Sequence, residues 1–176
     1  FSADGARLAV QAVLIPPDGP LFPYKNTTLT VRNVRTGQRI TDRRLSGPIG
    51  YHGEAVFSPD GRYLVTYGFV PYGIGTPIEL HDLDTGEVRL TLPNTFRAAQ
   101  DTAFSPDSRE MVIAYADGRL QRFDTATGDL LEETQGYPSY TVNAHFTDDT
   151  ILINTESKTF IWDNQTFANL GVYDDC

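Results

Sequence analysis

Hydrophobic and polar residues alternate along this chain in short runs, and turn-forming residues separate the runs. Four of these runs are rich in β-branched and aromatic residues: Tyr63 to Tyr67, Ile78 to Asp82, Val88 to Leu92 and Met111 to Tyr115. Runs of this length with alternating polarity predict β-strands. No stretch has the spacing and the capping residues of an amphipathic helix. The pattern therefore predicts an all-β protein.

Two short motifs recur in the same order along the chain. The first is a Phe followed by a Pro-Asp type of turn, at Phe57–Gly61 and Phe104–Ser108 and, in weaker form, at Phe1–Gly5 and Phe146–Thr150. The second is an Asp or Asn followed by Thr-Gly or Thr-Phe, at Asn33–Gly37, Asp82–Gly86, Asp124–Gly128 and Asp163–Phe167. Pro presets φ, Asp bonds nearby backbone and Gly accepts positive φ, so both motifs predict turns.

The repeat divides the chain into four units, each of four antiparallel strands that we name a, b, c and d. The Phe ends strand a, the Pro-Asp turn joins a to b, and the Thr-Gly turn joins c to d. The predicted boundaries are about 1–46, 47–93, 94–135 and 136–176. The first unit starts at the end of a strand a, so we expect the missing strand and further units from a preceding segment or a second chain, because unpaired strand edges are a liability.

Phe57–Gly61 followed by Ile78–Gly86 resembles a WD repeat, and it is also similar to the Pro-Asp propeller repeats of TolB-like proteins. The resemblance covers essentially the whole chain and implies consecutive blades of a β-propeller, as part of a larger ring. The units diverge from the family. Its Trp position holds Arg32, His81, Phe123 and Trp162 in turn.

Arg122 is a second departure, because strand c of such a blade usually directs an aliphatic side chain inward at this position. Two explanations stay open: the strand register slips there, or the arginine lines the central channel. A small-molecule site in that channel, built on Arg32, His81 or Arg122, is a weaker possibility.

Composition limits the kinds of partner that we expect this chain to bind. No apolar run approaches the roughly 18 to 20 residues that cross a bilayer, so we expect no membrane insertion. The net charge of −9 makes nucleic-acid binding an unfavourable interpretation, because phosphates require clustered Lys and Arg. The single cysteine, Cys176, forms no internal disulfide and fits a reducing compartment such as the cytoplasm, although it does not decide the compartment.

The search for catalytic chemistry is negative. The three histidines are far apart in sequence and lack the close ligand pair of a metal site, and no nucleophile elbow or phosphate-binding loop occurs. Asp60, Asp107, Asp148 and Asp149 belong to the a–b turns and are interpreted as turn residues. We therefore predict no catalytic residue, metal or cofactor within this chain.

The unusual surface consists of loops rich in aromatic residues and proline. The b–c connections of the first two units are long, and in WD-like propellers they emerge on the same face as the d–a connections. The candidate partner-binding residues on these loops are Phe22, Pro23, Tyr24, Phe69, Pro71, Tyr72, Tyr137 and Tyr140. Rigid aromatic side chains of this kind anchor protein interfaces. The alternative is that they fold back and cap the blades.

The sequence thus favours a non-catalytic scaffold, or the sensor end of a larger bacterial protein, that binds a protein or peptide through this loop face. The alternative is the propeller domain of a larger enzyme, such as a gate before a peptidase domain, with its catalytic residues outside this chain. Both rest on analogy of fold.

Overall fold

The structure is a computed structural model that describes residues 1–13, 27–45, 52–69, 76–93, 99–136 and 143–174. Chain contacts divide the protein into two compact units, residues 1–96 and 97–176. From here on, the first unit and the second unit mean these two parts of the chain and not the four sequence repeats. No helix long and apolar enough to cross a membrane occurs within these described ranges.

The first unit holds two antiparallel sheets. The first sheet has the strand order β1-β2-β3 and the second has the order β4-β5-β6-β7. The strands are β1 (Arg7–Val13), β2 (Thr27–Asn33), β3 (Arg39–Leu45), β4 (His52–Phe57), β5 (Tyr63–Phe69), β6 (Thr76–Asp82) and β7 (Val88–Leu92).

The second unit holds the third and fourth sheets, each with four antiparallel strands. The third sheet is formed by β8 to β11 and the fourth by β12 to β15, with neighbours in sequence paired throughout. The strands are β8 (Ala99–Phe104), β9 (Glu110–Tyr115), β10 (Arg119–Asp124), β11 (Leu130–Gln135), β12 (Asn143–Phe146), β13 (Thr150–Asn154), β14 (Lys158–Asp163) and β15 (Asn169–Asp174).

These sheets confirm the predicted fold class: the chain is all-β and consists of consecutive, blade-like antiparallel sheets, of which the first has three described strands and the others four. The four strands predicted from alternation all occur. Phe57, Phe104 and Phe146 each end a strand a, as their motif predicted.

A register shift lies at the same place in every sheet, where strand c pairs with strand d. It falls immediately before the residue at the Trp position, between Arg122 and Phe123 in the third sheet and between Ile161 and Trp162 in the fourth. The other two sheets shift at the equivalent step, before Arg32 and before His81. A register slip, one of the two explanations left open at Arg122, occurs there, but it is common to all four sheets and so is not caused by the arginine.

Each unit has its own apolar core between its two sheets. In the first unit, Leu29 and Val31 of β2 pack with Leu64 of β5 and Leu83 of the following turn. In the second unit, Val112 and Leu120 of the third sheet pack with residues of the fourth, including the fully buried Trp162. Burial of alternate residues on facing sheets is what the period-two pattern of the strands requires.

Candidate functional site

The a–b turn is closed by its own Ser and Asp side chains. Ser58 Oγ donates to Asp60 Oδ1 at 2.6 Å and accepts the N–H of Tyr63 at 2.9 Å. The same pairing joins Ser2 to Asp4 and Ser105 to Asp107. These hydrogen bonds hold the chain reversal, so the interpretation of the motif carboxylates as turn residues is confirmed for these three turns.

The c–d turn uses its leading Asp or Asn in the same manner in every sheet. The side chain of this residue accepts a hydrogen bond from the backbone N–H three residues later. The pairs are Asn33 with Thr36, Asp82 with Thr85, Asp124 with Thr127 and Asp163 with Thr166. Such local bonds explain why the second motif requires an oxygen-bearing side chain at its first position.

Asp82 also binds two arginines. Its fully buried carboxylate accepts hydrogen bonds from Arg62 Nη2 at 2.8 Å and from Arg89 Nη2 at 2.9 Å. Burial opposes ionisation, but the bonds from Arg62, Arg89 and the turn N–H groups outweigh it and hold the pKa of Asp82 well below its usual range. All of its hydrogen-bonding capacity serves the second sheet, so this cluster stabilises structure.

The residues predicted for partner binding lie almost entirely outside the described part of the chain. Phe22, Pro23, Tyr24, Pro71, Tyr72, Tyr137 and Tyr140 are in the undescribed segments. Phe69 ends β5, where its backbone pairs with His52, but its side chain is also outside the described set. The binding role of these eight residues stays a prediction.

Two of the three residues proposed for a channel site have structural partners. His81 is buried, and its Nε2 lies 3.1 Å from Thr66 Oγ1 on the neighbouring strand. Arg32 is exposed and donates to the carbonyl oxygen of Gly37 in its own c–d turn. Both contacts are made within their own sheets.

Arg122, the third of these residues, lines a cleft between the third and fourth sheets. The cleft has a volume of about 640 Å³. This is within the size range of small-ligand pockets. Polar and charged residues of the a–b and c–d turns dominate its lining: Ser105, Pro106, Asp107, Arg109, Glu110, Arg122, Asp148, Asn164 and Gln165.

Arg122 is buried, with a relative exposure of 8%, and its guanidinium is held from both sheets. Its Nη2 donates to Glu132 Oε2 at 2.6 Å, and Glu110 Oε2 lies 3.6 Å from Nη1. Nη1 also donates to the carbonyl oxygen of Asn164 in the fourth sheet. Arg122 therefore connects two blades through charge and hydrogen bonds.

The ring of Phe167 lies under the same guanidinium, with the Arg122 Cζ 5.1 Å from the ring centroid. Phe167 replaces the glycine of the c–d turn and adopts φ +55°, a conformation that costs a non-glycine residue energy. The sequence shows two departures, an Arg at an aliphatic position and a Phe at a Gly position, and the structure shows that they meet. Sequence reasoning identified the Arg as a departure, included the Phe only as a form of the motif, and missed the pair.

The lining of the cleft carries three carboxylates and two guanidinium groups. Burial raises the pKa of Glu110, although nearby Arg122 opposes the shift. Hydrogen bonds from Ser105 Oγ and the backbone N–H of Arg109 lower the pKa of Asp107. The carboxylate of Asp148 makes no hydrogen bond or ion pair to another described residue. No group of three or more His, Cys, Asp or Glu side chains within the described ranges is arranged to hold a metal ion.

Comparison with known proteins gives one informative relative. No family model matches the chain. A protein of Deinococcus radiodurans described as an uncharacterized WD repeat-containing protein is 32% identical over 114 residues, which is 57% of this chain and 41% of the relative. The chain is similar to a WD-repeat protein. It spans about two fifths of the length of that relative.

Proposed function

We propose that this chain is a non-catalytic interaction scaffold that binds a protein or peptide through the face bearing its b–c and d–a loops. The observation that carries the proposal is the similarity to a WD-repeat protein, together with blade-like sheets that repeat the same turn chemistry. The Ser and Asp side chains of the repeated turns are committed to local hydrogen bonds. Those turns therefore offer structure rather than catalysis.

The loop face is the natural place for a partner in this interpretation. The b–c and d–a connections leave the strands at the ends opposite to the Pro-Asp and Thr-Gly turns. Their Phe, Tyr and Pro residues supply apolar area at a low entropic cost of ordering. The narrower resemblance to TolB-like Pro-Asp repeats rests on Phe57–Gly61 and Phe104–Ser108, and stays a prediction.

We also propose that another segment or chain pairs with the first sheet. That sheet has three described strands whereas its neighbours have four, and β1 is at its edge. A backbone edge left open attracts a further strand. The additional length of the WD-repeat relative is in keeping with further blades.

The test is partner binding by a loop variant in which Phe22, Tyr24, Phe69 and Tyr72 are replaced by Ala. A partner is first identified by cross-linking to the intact protein, then purified and titrated against the wild-type and variant chains. We expect affinity to fall by at least about tenfold, because truncation of a single hot-spot aromatic residue costs about 2 kcal/mol or more. The matched control replaces Leu130 and Leu170, which are exposed on the outer strands β11 and β15, and should bind normally.

Thermal unfolding of the same proteins separates binding from capping. If these residues bind a partner, the loop variant should melt within about 3 °C of the wild type. For a chain of this size, that shift corresponds to a change of roughly 1 kcal/mol in the free energy of unfolding. A large loss of stability with unchanged affinity would show that the aromatic residues cap the blades and would reject the loop face as the binding surface.

A further inference from the structure

The cleft beside Arg122 contains two buried polar atoms that lack a hydrogen-bond partner among the described residues. One is a donor, Arg122 Nε, and the other is an acceptor, Asn164 Oδ1. The Asn164 amide is oriented by its Nδ2, which donates to the carbonyl oxygen of Asp148 at 3.1 Å, so the free atom is the oxygen. Buried groups of this kind require a partner, and both line the same cleft.

The first unit shows what fills the equivalent place. Arg7 and Glu110 occupy equivalent positions, because each is the first residue of strand b in its own sheet. In both cases the backbone N–H donates to the turn serine at 2.9 Å, Ser2 in the first sheet and Ser105 in the third. The two residues pair with the corresponding Asn33 and Asp124 of strand c.

Arg7 closes the gap between the first and second sheets. Its Nη1 donates to the carbonyl oxygen of Gly61 at 2.7 Å, and its Nη2 donates to Asp84 Oδ1 at 2.8 Å. Behind it, the positions equivalent to Arg122 and Asn164 are Val31 and Leu83, which pack in an apolar cluster.

The second unit reverses this chemistry. Where Arg7 supplies a cation, Glu110 supplies a carboxylate, and Gln165 takes the place of Asp84. Asp148, on the opposite wall, adds an unpaired carboxylate. The surrounding a–b and c–d turns are also rich in acidic residues, and Arg109 is the one cation among their described residues; the acids are Asp107, Asp124, Asp129, Asp149 and Asp163.

We propose that this cleft binds the guanidinium group of an arginine side chain from a protein partner, held between Glu110 and Asp148 in the position that Arg7 takes in the first unit. A planar guanidinium presents several N–H donors at once, which suits two carboxylates and the amide oxygen of Gln165.

This cleft lies at the a–b and c–d turn ends of the strands of the third and fourth sheets, and the d–a connection between these sheets starts from the opposite strand ends. The proposed arginine site rests on the proposed interaction function in one respect only, which is that a protein partner supplies the guanidinium group. The cleft thus adds a second contact surface, and its failure would leave the loop-face proposal intact.

The test is an NMR titration of the ¹⁵N-labelled chain with capped Gly-Gly-Arg-Gly-Gly peptide. We expect saturable shifts of the Arg122 Nε–H signal and of the backbone signals of Asn164 and Gln165. The citrulline peptide, which is isosteric but neutral, should bind at least about tenfold more weakly, since a hydrogen bond to a charged group contributes more than a neutral one. The lysine peptide should bind about threefold more weakly, because an ammonium group lacks the forked geometry.

Three variants locate the site. Glu110→Gln and Asp148→Asn should each weaken binding of the arginine peptide about fivefold, because each removes one partly exposed ion pair. Glu110→Arg should abolish binding by filling the cleft as Arg7 does. The matched control is Asp129→Asn, which removes one exposed carboxylate of the same unit outside the cleft lining, and it should change affinity less than about twofold.

Several outcomes would overturn the proposal: no saturable shift with the arginine peptide, equal binding of the citrulline or lysine peptide, or an equal loss of affinity in Asp129→Asn. N-acetylarginine amide binding as tightly as the peptide would reject a protein source for the guanidinium. Loss of peptide binding in the aromatic loop variant, with Glu110→Gln unaffected, would place the site on the loop face instead. Far-UV circular dichroism checks that every variant is folded.

Discussion

Asp82 is the residue whose replacement has the largest effect on stability that can be worked out from its contacts. The carboxylate is fully buried and accepts three hydrogen bonds from two arginines and two from backbone N–H groups. Asp82→Ala removes all of them and leaves Arg62 and Arg89 without their shared partner. Breaking a buried charge pair costs about 3–5 kcal/mol, and we expect about 3 kcal/mol here because both arginines reach water.

The Asp82→Asn variant tests the charge of the carboxylate separately from its hydrogen bonds within the turn. The amide oxygen can still accept the backbone N–H groups of Asp84 and Thr85, but it no longer attracts the two guanidinium groups. We expect this variant to lose about 2 kcal/mol, the scale of a hydrogen bond to a charged group. For a chain of this size, these losses correspond to melting points lower by about 4–8 °C for Asn and about 6–12 °C for Ala.

The assay is urea unfolding followed by circular dichroism at pH 7 and at lower pH. Because the pKa of Asp82 is lowered in the folded state, its ionised form stabilises the protein fully above the ordinary value of 3.8, and this contribution is lost as the pH falls below that value. The difference between wild type and Asp82→Asn should therefore shrink between pH 5 and pH 3. Asp129→Asn, which changes an exposed turn residue, should lose less than about 0.5 kcal/mol. Equal stability of wild type and Asp82→Asn at pH 7, or a difference that does not depend on pH, would refute the reasoning.

Two further predictions concern the second unit. Burial raises the pKa of Tyr115 to about 12, and its hydroxyl donates to Gln121 Oε1 at 2.7 Å, so the neutral phenol should stabilise the fold below pH 10 and lose this effect as the pH rises towards 12. Unfolding curves of wild type and Tyr115→Phe should therefore converge over that range, and parallel curves would contradict the assignment. At Phe167, both Phe167→Gly and Phe167→Ala lose the ring under Arg122, but only Gly relieves the φ of +55°. The Ala variant should be less stable than the Gly variant by about 1 kcal/mol in urea unfolding, and equal stabilities would show that the turn changes conformation instead.

The class of fold and the positions of the turns could be predicted from the order of residues alone. Alternation of apolar and polar residues reports the period of a strand, and the Phe-Ser-Pro-Asp and Asp-Thr-Gly motifs report turns because their side chains bond to backbone only a few residues away. Interactions of such short range can be predicted from a single sequence. For that reason the strand ends at Phe57, Phe104 and Phe146 were predicted correctly.

The contacts between residues of different sheets became known only from the folded chain. Arg7 with Asp84 and Arg122 with Asn164 are pairs distant in sequence, and each was visible beforehand only as an isolated charge or a departure from the repeat. Whether the space between two sheets is closed or open depends on several side chains at once. In the first unit Arg7, Val31 and Leu83 close it, whereas in the second unit Glu110, Arg122 and Asn164 leave a polar cleft. No local pattern contains that information, because packing and desolvation act on the three-dimensional arrangement of side chains rather than on their order in the chain.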